Sequence, residues 1–320
     1  MFPLDVTIIV VNWNTKDYLV QCLASIFVET EGITFEVIVV DNGSTDGSVE
    51  LVEQGFPQVK LIANTENKGF PAANNQGIAI SHGKYILLLN SDTIVLDGAI
   101  QKLITFVNQH PEAGAAGGLM LKRDGSIDPI CFLTRFDAIG VWQYYLLWHK
   151  IKKPHLAREF WETDILLGAF MLVRQTVIQQ IGGMDESFFL MSEDTDWCLR
   201  VRQAGWKIYY HPASKIIHYG SESFKRSWDR GIITAYNSKE MLFQKYYGRG
   251  SMISLRIATL FGSLLRLMGW SVSAIMKPGE LRYDAQLRCY AYWQVIKQAI
   301  TGQSYQTSRQ AMEHYNENSG

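Results

Sequence analysis

Short runs of apolar, largely β-branched residues recur through the first third of the chain, each closed by a polar cluster. Val6 to Asn12 (VTIIVVN) reads as a strand buried on both faces, and Phe35 to Asp41 (FEVIVVD) repeats the pattern. Between them, Tyr18, Leu19, Cys22, Leu23 and Ile26 have the spacing of one helix face over Thr15 to Phe27. The beat continues with a helix from Asp46 to Gln54, a strand from Val59 to Ala63 and a helix from Pro71 to Ser81. A strand from Tyr85 to Asn90 (YILLLN) and a helix from Asp97 to Asn108 complete it. Strands alternating with helices imply βαβ units and a mostly parallel sheet, whose ligands lie beyond the carboxyl ends of the strands.

Those ends are polar. The first strand runs into Asn12-Trp13-Asn14, the second into Asp41 to Asp46 (DNGSTD), the third into Asn64 to Gly69 and the fourth into Asn90-Ser91-Asp92. Singly, each also suits a turn or a helix cap, and Thr45-Asp46 reads as one. Four such ends on one edge of one sheet imply a polar cleft for a ligand rich in hydroxyls and phosphates.

After Met120 the periodicity loosens. An aromatic stretch (Trp142, Tyr144, Tyr145, Trp148) is followed by Lys150, Lys152 and Lys153, which fits a packed amphipathic helix or an acceptor or membrane contact. Asp164 to Arg174 (DILLGAFMLVR) reads as a strand interrupted by Gly168-Ala169, small residues that let a ligand or second backbone approach. Ser192-Glu193-Asp194-Thr195-Asp196 precedes a helical segment, Trp197 to Ala204. Ser192 suits an N-cap, but three carboxylates in four positions exceed what capping needs. On the edge of a cleft, repulsion and partial burial would raise one pKa and create a base for a hydroxyl proton. His218 follows another strand-like run, Ser214 to Ile217, and becomes interesting if it faces Asp92.

Composition narrows the class. Apolar residues make up 47% and charged residues 19%, with 26 Gly and 8 Pro, which excludes collagen-like and mostly disordered chains. The net charge of −1 conceals a division: residues 1 to 214 sum to −8 and residues 215 to 320 to +7. That argues against a uniformly basic nucleic-acid binder. Cys22, Cys131, Cys198 and Cys289 form no CxxC pair, so neither a zinc site nor a disulfide framework is expected, and a reducing cytoplasm fits. The first residues lack a basic region, and Val6 to Val11 is too short for a signal peptide, so export is not expected.

The motifs VNWN (11 to 14), VVDNGSTDGS (39 to 48), NKGFPAANNQG (67 to 77), LLLNSDT (87 to 93), LLGAFMLVR (166 to 174) and GGMDESFFLMSEDTDWCLRVRQAGWKIYYHP (182 to 212) carry a family resemblance. Six co-linear motifs are far more specific than one glycine-rich loop. The chain resembles the family 2 inverting glycosyltransferases, and more narrowly their bacterial rhamnosyltransferase-like members, over residues 5 to 225. The resemblance implies an α/β GT-A (Rossmann-like) domain with a mixed, mostly parallel sheet flanked by helices, over residues 1–228. A C-terminal helical extension would occupy 229–302 and a flexible tail 303–320.

It also implies roles. A nucleoside diphosphate sugar, dTDP- or UDP-linked, would be held by Val11, Trp13 and Asp41 at the base, then by Asn67, Gly69, Asn74, Ser91 and Asp92. The family's DxD motif falls on Asn90-Ser91-Asp92, where only Asp92 is ionisable. Asp92 and His218 would hold a divalent metal, Mg²⁺ or Mn²⁺; one carboxylate can suffice beside waters and phosphates. Lys225 or Arg226 would assist the leaving diphosphate, or form a solvated loop. Asp194 would be the base, with Glu193 as its alternative, and Gly168, Ala169 and Asp196 would border the acceptor. The implied reaction is inverting transfer of a sugar, rhamnose from dTDP-rhamnose first, to a glycan or polyprenyl-linked acceptor in cell-surface polysaccharide synthesis. A UDP-hexose or galactofuranose donor, or a non-catalytic sugar-nucleotide or glycan-binding module, are the alternatives. A dinucleotide oxidoreductase would need GxGxxG after the first strand, and Asn12 to Thr15 has no glycine.

The tail contains a 25-residue apolar stretch, Met252 to Met276, about 38 Å long at about 1.5 Å per helical residue and long enough to span a bilayer. Arg256 and Arg266 oppose spanning, at roughly 2.5 to 3.5 kcal/mol for a central arginine. A helix in the membrane interface avoids that cost, with Leu255, Leu260, Leu264, Leu265 and Trp270 facing lipid and Lys239, Lys245, Arg249, Lys277, Arg282 and Arg288 favouring anionic headgroups. A helical subdomain or homodimer interface is the competing expectation. The peripheral reading places the protein in the cytoplasm, on the inner face of the cell membrane.

Overall fold

The computed structural model describes residues 2–129, 142, 158–220 and 228–302. It comprises two compact units, one drawn from Met1–Thr134, Lys153–Asp185 and Asp194–Ser223, the other from Arg135–Lys152, Glu186–Glu193 and Phe224–Gly320.

The first unit is built on a sheet. In chain order its elements are β1 (Leu4–Asn12), α1 (Lys16–Glu29), β2 (Phe35–Asp41), α2 (Ser48–Gly55), β3 (Lys60–Ala63), α3 (Phe70–Ala79), β4 (Gly83–Asn90), β5 (Thr93–Leu96), α4 (Ala99–Gln109) and β6 (Ala113–Leu121). Then come β7 (Trp161–Glu162), β8 (Phe170–Arg174), α5 (Gln175–Ile181), α6 (Glu193–Gln203, whose first residue lies in the second unit) and β9 (Lys207–His218). The strand order is β3-β2-β1-β4-β8-β6-β9-β5, with β7 on β9. β1 to β4 pair in parallel, as do β6 and β9, while β8 runs antiparallel between β4 and β6. The apolar runs of β1, β2 and β4 are buried almost without exception, as strands covered on both faces must be.

Four pieces depart from the sequence expectation. Ala113–Leu121 (AGAAGGLML) is a full strand although it lacks β-branched residues, and the reason is crowding. A Cβ on Gly118 would stand 2.2 Å from the Ser214 carbonyl oxygen, so a strand of ordinary composition cannot lie here. Ser214 to Ile217 is the end of a 12-residue strand that begins at Lys207. In the segment expected as a strand from Asp164, only Phe170–Arg174 is strand. The helix expected from Asp46 starts at Ser48 with Gly47 as its cap, and Asp46 instead accepts from the Ser48 amide at 3.1 Å.

The second unit contains α7 (Trp228–Tyr246), α8 (Arg249–Met276) and α9 (Gly279–Thr301). Ile233, Tyr236, Ala291, Val295 and Ala299 form one apolar cluster, and Phe243, Leu255 and Ala258 another, against which Trp142 packs. Trp142 also donates from its indole nitrogen to Ser254 at 2.9 Å. The rest of the aromatic stretch, Lys150 to Lys153, Cys131, Lys225, Arg226 and the 303–320 tail lie outside the described residues. Inside the bundle, Glu240 is 2% exposed and accepts from Arg256 Nε at 2.8 Å and from the Tyr236 hydroxyl at 2.9 Å. Cys22 and Cys198 are buried free thiols, pushed up to about 12 by that burial.

Candidate functional site

Register places the polar strand ends in one row. Asn12 of β1 is opposite Asp41 of β2, Val11 is opposite Asn90 of β4, and Leu89 is opposite Phe170 of β8. Thr93 of β5 pairs with His218 of β9. The residues just beyond these pairs are therefore neighbours, for a reason of sheet geometry.

At the β1–β2 end, Asp41 is 1% exposed and forms the floor. One carboxylate oxygen accepts from the Asn12 amide at 2.8 Å, the other from the Ser44 backbone N–H at 2.8 Å. Asn12 accepts from Thr15 Oγ1 at 2.7 Å, and that hydroxyl lies 2.8 Å from Ser91 Oγ. A base contact by Asp41 would use the remaining lone pairs of oxygens already engaged. Val11 is half-buried, while Trp13 is 39% exposed.

The Asn64–Gly69 loop is held by side-chain amides that the sequence reading had passed over. Asn42 donates to Asn67 at 2.9 Å and to the Gly69 carbonyl at 3.2 Å, and its oxygen accepts from the Lys68 amide at 3.1 Å. Asn64 and Gln76 bond to each other at 2.8 and 3.0 Å. The signal for them was the density of Asn and Gln after strands, which turn chemistry also explains. Asn74 is turned into its own helix, donating to the Phe70 carbonyl at 2.9 Å with 1% exposure.

At the β4 end, Asp92 Oδ1 lies 3.3 Å from His218 Nε2, and the Asn90 amide nitrogen lies 3.4 Å from the same ring atom. Ser91 and Asp92 are buried. Burial acts against the imidazolium, but the hydrogen bond and charge of Asp92, with Asp128 farther off, outweigh it and hold the His218 pKa above its ordinary value. Asn90 Oδ1 and His218 Nδ1 are buried and, among the described residues, without a hydrogen-bond partner. Among the described residues no group of three or more His, Cys, Asp or Glu gathers. A carboxylate, an imidazole and an unpartnered amide oxygen are nonetheless a donor set that suits a hard divalent cation completed by water and phosphate. Asn90 is the residue that a search for ionisable ligands misses.

Asn90 also carries the site onward. Its backbone N–H donates to the Ala169 carbonyl at 3.2 Å, and the next residue, Gly168, donates its N–H to Asp194 Oδ2 at 3.2 Å. Gly168 is tightly packed: a Cβ would meet the Phe70 ring at 3.1 Å and stand in ordinary contact with Asp194 Cβ at 3.9 Å. Asp194 Oδ1 accepts from the Thr195 N–H at 2.6 Å. Burial raises the Asp194 pKa; the Gly168 and Thr195 hydrogen bonds pull the other way without cancelling it. Just before α6, Met191 and Ser192 both have φ of +69°, a left-handed conformation costing about 1–2 kcal/mol per non-glycine residue.

The neighbouring carboxylates divide. Glu193 is buried at the head of α6. Asp196, expected beside the acceptor, is turned into the protein: it is fully buried and takes Arg200 Nε at 2.8 Å, while Arg200 also donates to the Ile181 carbonyl at 3.0 Å. It is a structural ion pair that fixes α6 near the end of α5.

A mostly parallel sheet with polar strand ends, a carboxylate–imidazole pair and a separate carboxylate of raised pKa is compatible with the GT-A glycosyltransferase fold. The family model for Glycosyl transferase family 2 matches residues 7–182, and the chain belongs to that family. It is 29% identical over 244 residues to an N-acetylglucosaminyl-diphospho-decaprenol L-rhamnosyltransferase of Mycobacterium tuberculosis, covering 68% of this chain and 77% of that one. It is 27% identical over 230 residues to the rhamnosyltransferase WbbL of Escherichia coli, covering 67% and 83%. In fold it is similar to a mannosyltransferase of Pyrobaculum calidifontis solved with GDP-Man and Mn²⁺, at a TM-score of 0.59 and 17% identity over 98% of this chain and 87% of that one.

Proposed function

We propose that this glycosyltransferase moves rhamnose from dTDP-rhamnose to a hydroxyl of a glycan or polyprenyl-linked acceptor, in cell-surface polysaccharide synthesis at the inner face of the cell membrane. The two rhamnosyltransferase relatives support the sugar and the pathway class. One observation carries the site: two hydrogen bonds, Asn90 N–H to the Ala169 carbonyl and Gly168 N–H to Asp194, joined by the Gly168–Ala169 backbone and starting beside the Asp92–His218 pair. Residues 1–228 would form the transferase domain, 229–302 its helical extension and 303–320 the tail.

In this reading Val11, Trp13, Asp41 and the loop of Asn67 and Gly69 seat the nucleotide, with Asn74 and Ser91 shaping the cleft behind them. Asp92, His218 and the Asn90 amide oxygen would hold a divalent cation, which would supply positive charge to the departing diphosphate. Asp194 takes the acceptor hydroxyl proton, as its raised pKa equips it to do. The acceptor oxygen bonds to the anomeric carbon on the face opposite the diphosphate, the bond from that carbon to the phosphate oxygen breaks, and the electron pair leaves with the nucleotide. Configuration inverts in one displacement. Gly168 and Ala169 border the acceptor beside Asp194, and Glu193 is the second choice for base.

Thermal shift with dTDP-rhamnose, UDP-hexoses and GDP-mannose, each with and without Mn²⁺, tests the donor and the metal together. The reading requires the largest stabilisation with dTDP-rhamnose plus Mn²⁺, and Asp92→Ala should lower that affinity by about tenfold or more. A larger shift with a UDP-sugar would replace the donor assignment. Equal shifts with and without Mn²⁺ would remove the metal site.

A further inference from the structure

The α8 helix is built inside out. Every exposed position between Ser251 and Lys277 is apolar or glycine, including Ile253, Ile257, Phe261, Met268, Val272 and Ile275, each about half exposed or more. Its polar side chains are turned the other way: Thr259 and Ser263 are fully buried, Arg256 pairs with Glu240, and Arg266 donates to the Gly262 carbonyl at 3.1 Å. A helix on a water-facing surface has the opposite arrangement. The exposed residues recur at spacings of three and four, so they form one stripe along a 28-residue helix about 42 Å long. An apolar face of that length, free of any charge, is far more than scattered surface leucines.

The neighbouring helix says what covers it. On α9, Arg282, Gln286, Tyr290, Trp293 and Lys297 recur at helical spacing and are all exposed, with Lys297 Nζ 5.7 Å from the centre of the Trp293 ring. Aromatic rings beside cations are the composition of a layer at lipid headgroup depth. From Met241 to Gly279 the chain has five cations and no carboxylate. A second copy applied to this face would set like charges against each other, whereas an anionic lipid surface complements them.

We propose that α8 lies in the plane of an anionic membrane, its stripe from Ile253 to Met276 sunk into one leaflet and the α9 row of Arg282, Trp293 and Lys297 at the headgroups. It does not cross: Leu255, Ala258, Thr259 and Ser263 face the protein, and immersion of the whole bundle would carry Arg282, Lys297 and the Glu240–Arg256 pair into hydrocarbon. This corrects the orientation read from sequence, since Leu255 is fully buried in the protein and Trp270 lies under Arg288, 4.4 Å from the ring centre. The proposal stands apart from the sugar reading and needs no donor.

Flotation of the full chain with vesicles of phosphatidylcholine, and of an equal mixture of phosphatidylcholine and phosphatidylglycerol, tests it. The chain should float with the mixed vesicles. The triple variant Phe261→Gln, Leu265→Gln, Met268→Gln should lose about tenfold or more of that binding, and Arg282→Ser with Lys297→Ser should remove most of the dependence on phosphatidylglycerol. Gln keeps helix propensity, so unchanged helical circular dichroism shows that the triple variant is folded. Wild-type chain remaining in the aqueous fraction with both vesicles overturns the proposal, as does a folded triple variant that binds like wild type. A wild-type dimer by light scattering that the triple variant makes monomeric, with no flotation, would assign the face to a second copy.

Discussion

The strand-end edge of the sheet and the outer face of α8 break the usual rule of burial in opposite directions. At the sheet edge, Asn12, Asp41, Ser91 and Asp92 are withdrawn from water and held by neighbouring side chains or backbone amides. On α8, large apolar side chains stand in the open while Thr259 and Ser263 are buried. Burying polar groups costs free energy unless they are hydrogen-bonded, and exposing apolar area costs it in proportion to that area. On the proposed function and the proposed membrane placement, each region meets something outside the folded chain: a polar ligand at the first, an apolar phase at the second.

The sharpest way to break the first half of that contrast is Asp194→Asn. It should lower transfer by about a hundredfold to ten-thousandfold while nucleotide-sugar affinity is kept, measured by turnover and by donor thermal shift. It should also raise thermal stability at neutral pH. The folded-state pKa of Asp194 lies above its unfolded value, so the folded form holds the proton more tightly. That contribution is complete below the unfolded value near 3.8 and is lost as pH rises through the folded one. The Tm gap between variant and wild type should close on acidification, and a variant that is both inactive and less stable at neutral pH would show that the side chain is structural.

Next in size is Arg256→Ala in the second unit. Removing the cation leaves Glu240, 2% exposed, without its ion-pair partner, and should cost about 3 kcal/mol by denaturant unfolding. A loss near zero would mean that water reaches this pair, and the inside-out reading of α8 would lose its interior half.

Gly168→Ala should be milder, because the new Cβ meets the Phe70 ring at 3.1 Å and the ring can give by a few tenths of an ångström. About 1 kcal/mol of stability and about tenfold or less of turnover are expected, with donor affinity unchanged. The smallest effect belongs to the exposed face. Ile275→Ser, at a side chain 76% exposed, should change stability in detergent-free buffer by less than about 0.5 kcal/mol. A loss of several times that would mean the face is covered in solution.

Much of this was legible in the residues. β1, β2 and β4 announce themselves because a strand buried on both faces requires unbroken β-branched and leucine runs. Asp92, His218 and Asp194 stand out in the residues as candidates for chemistry, and the structure places Asp92 beside His218. β6 was not, since its small residues reflect the approach of Ser214, which is 96 positions later in the chain. Asp196 and Asp194 are two positions apart in the same acidic motif, yet one is a core ion pair and the other accepts from Gly168.

By itself, then, the sequence determined the alternating elements, the family, the charge division and the presence of a long apolar helix, because each is local periodicity or a linear motif. Which carboxylate is tied up in a core ion pair, how Asn90 links the Asp92–His218 pair to Asp194, and which side of α8 looks outward were decided by tertiary structure. Helical spacing defines a face but not its direction, and strand register alone brings residues more than a hundred positions apart within hydrogen-bonding distance.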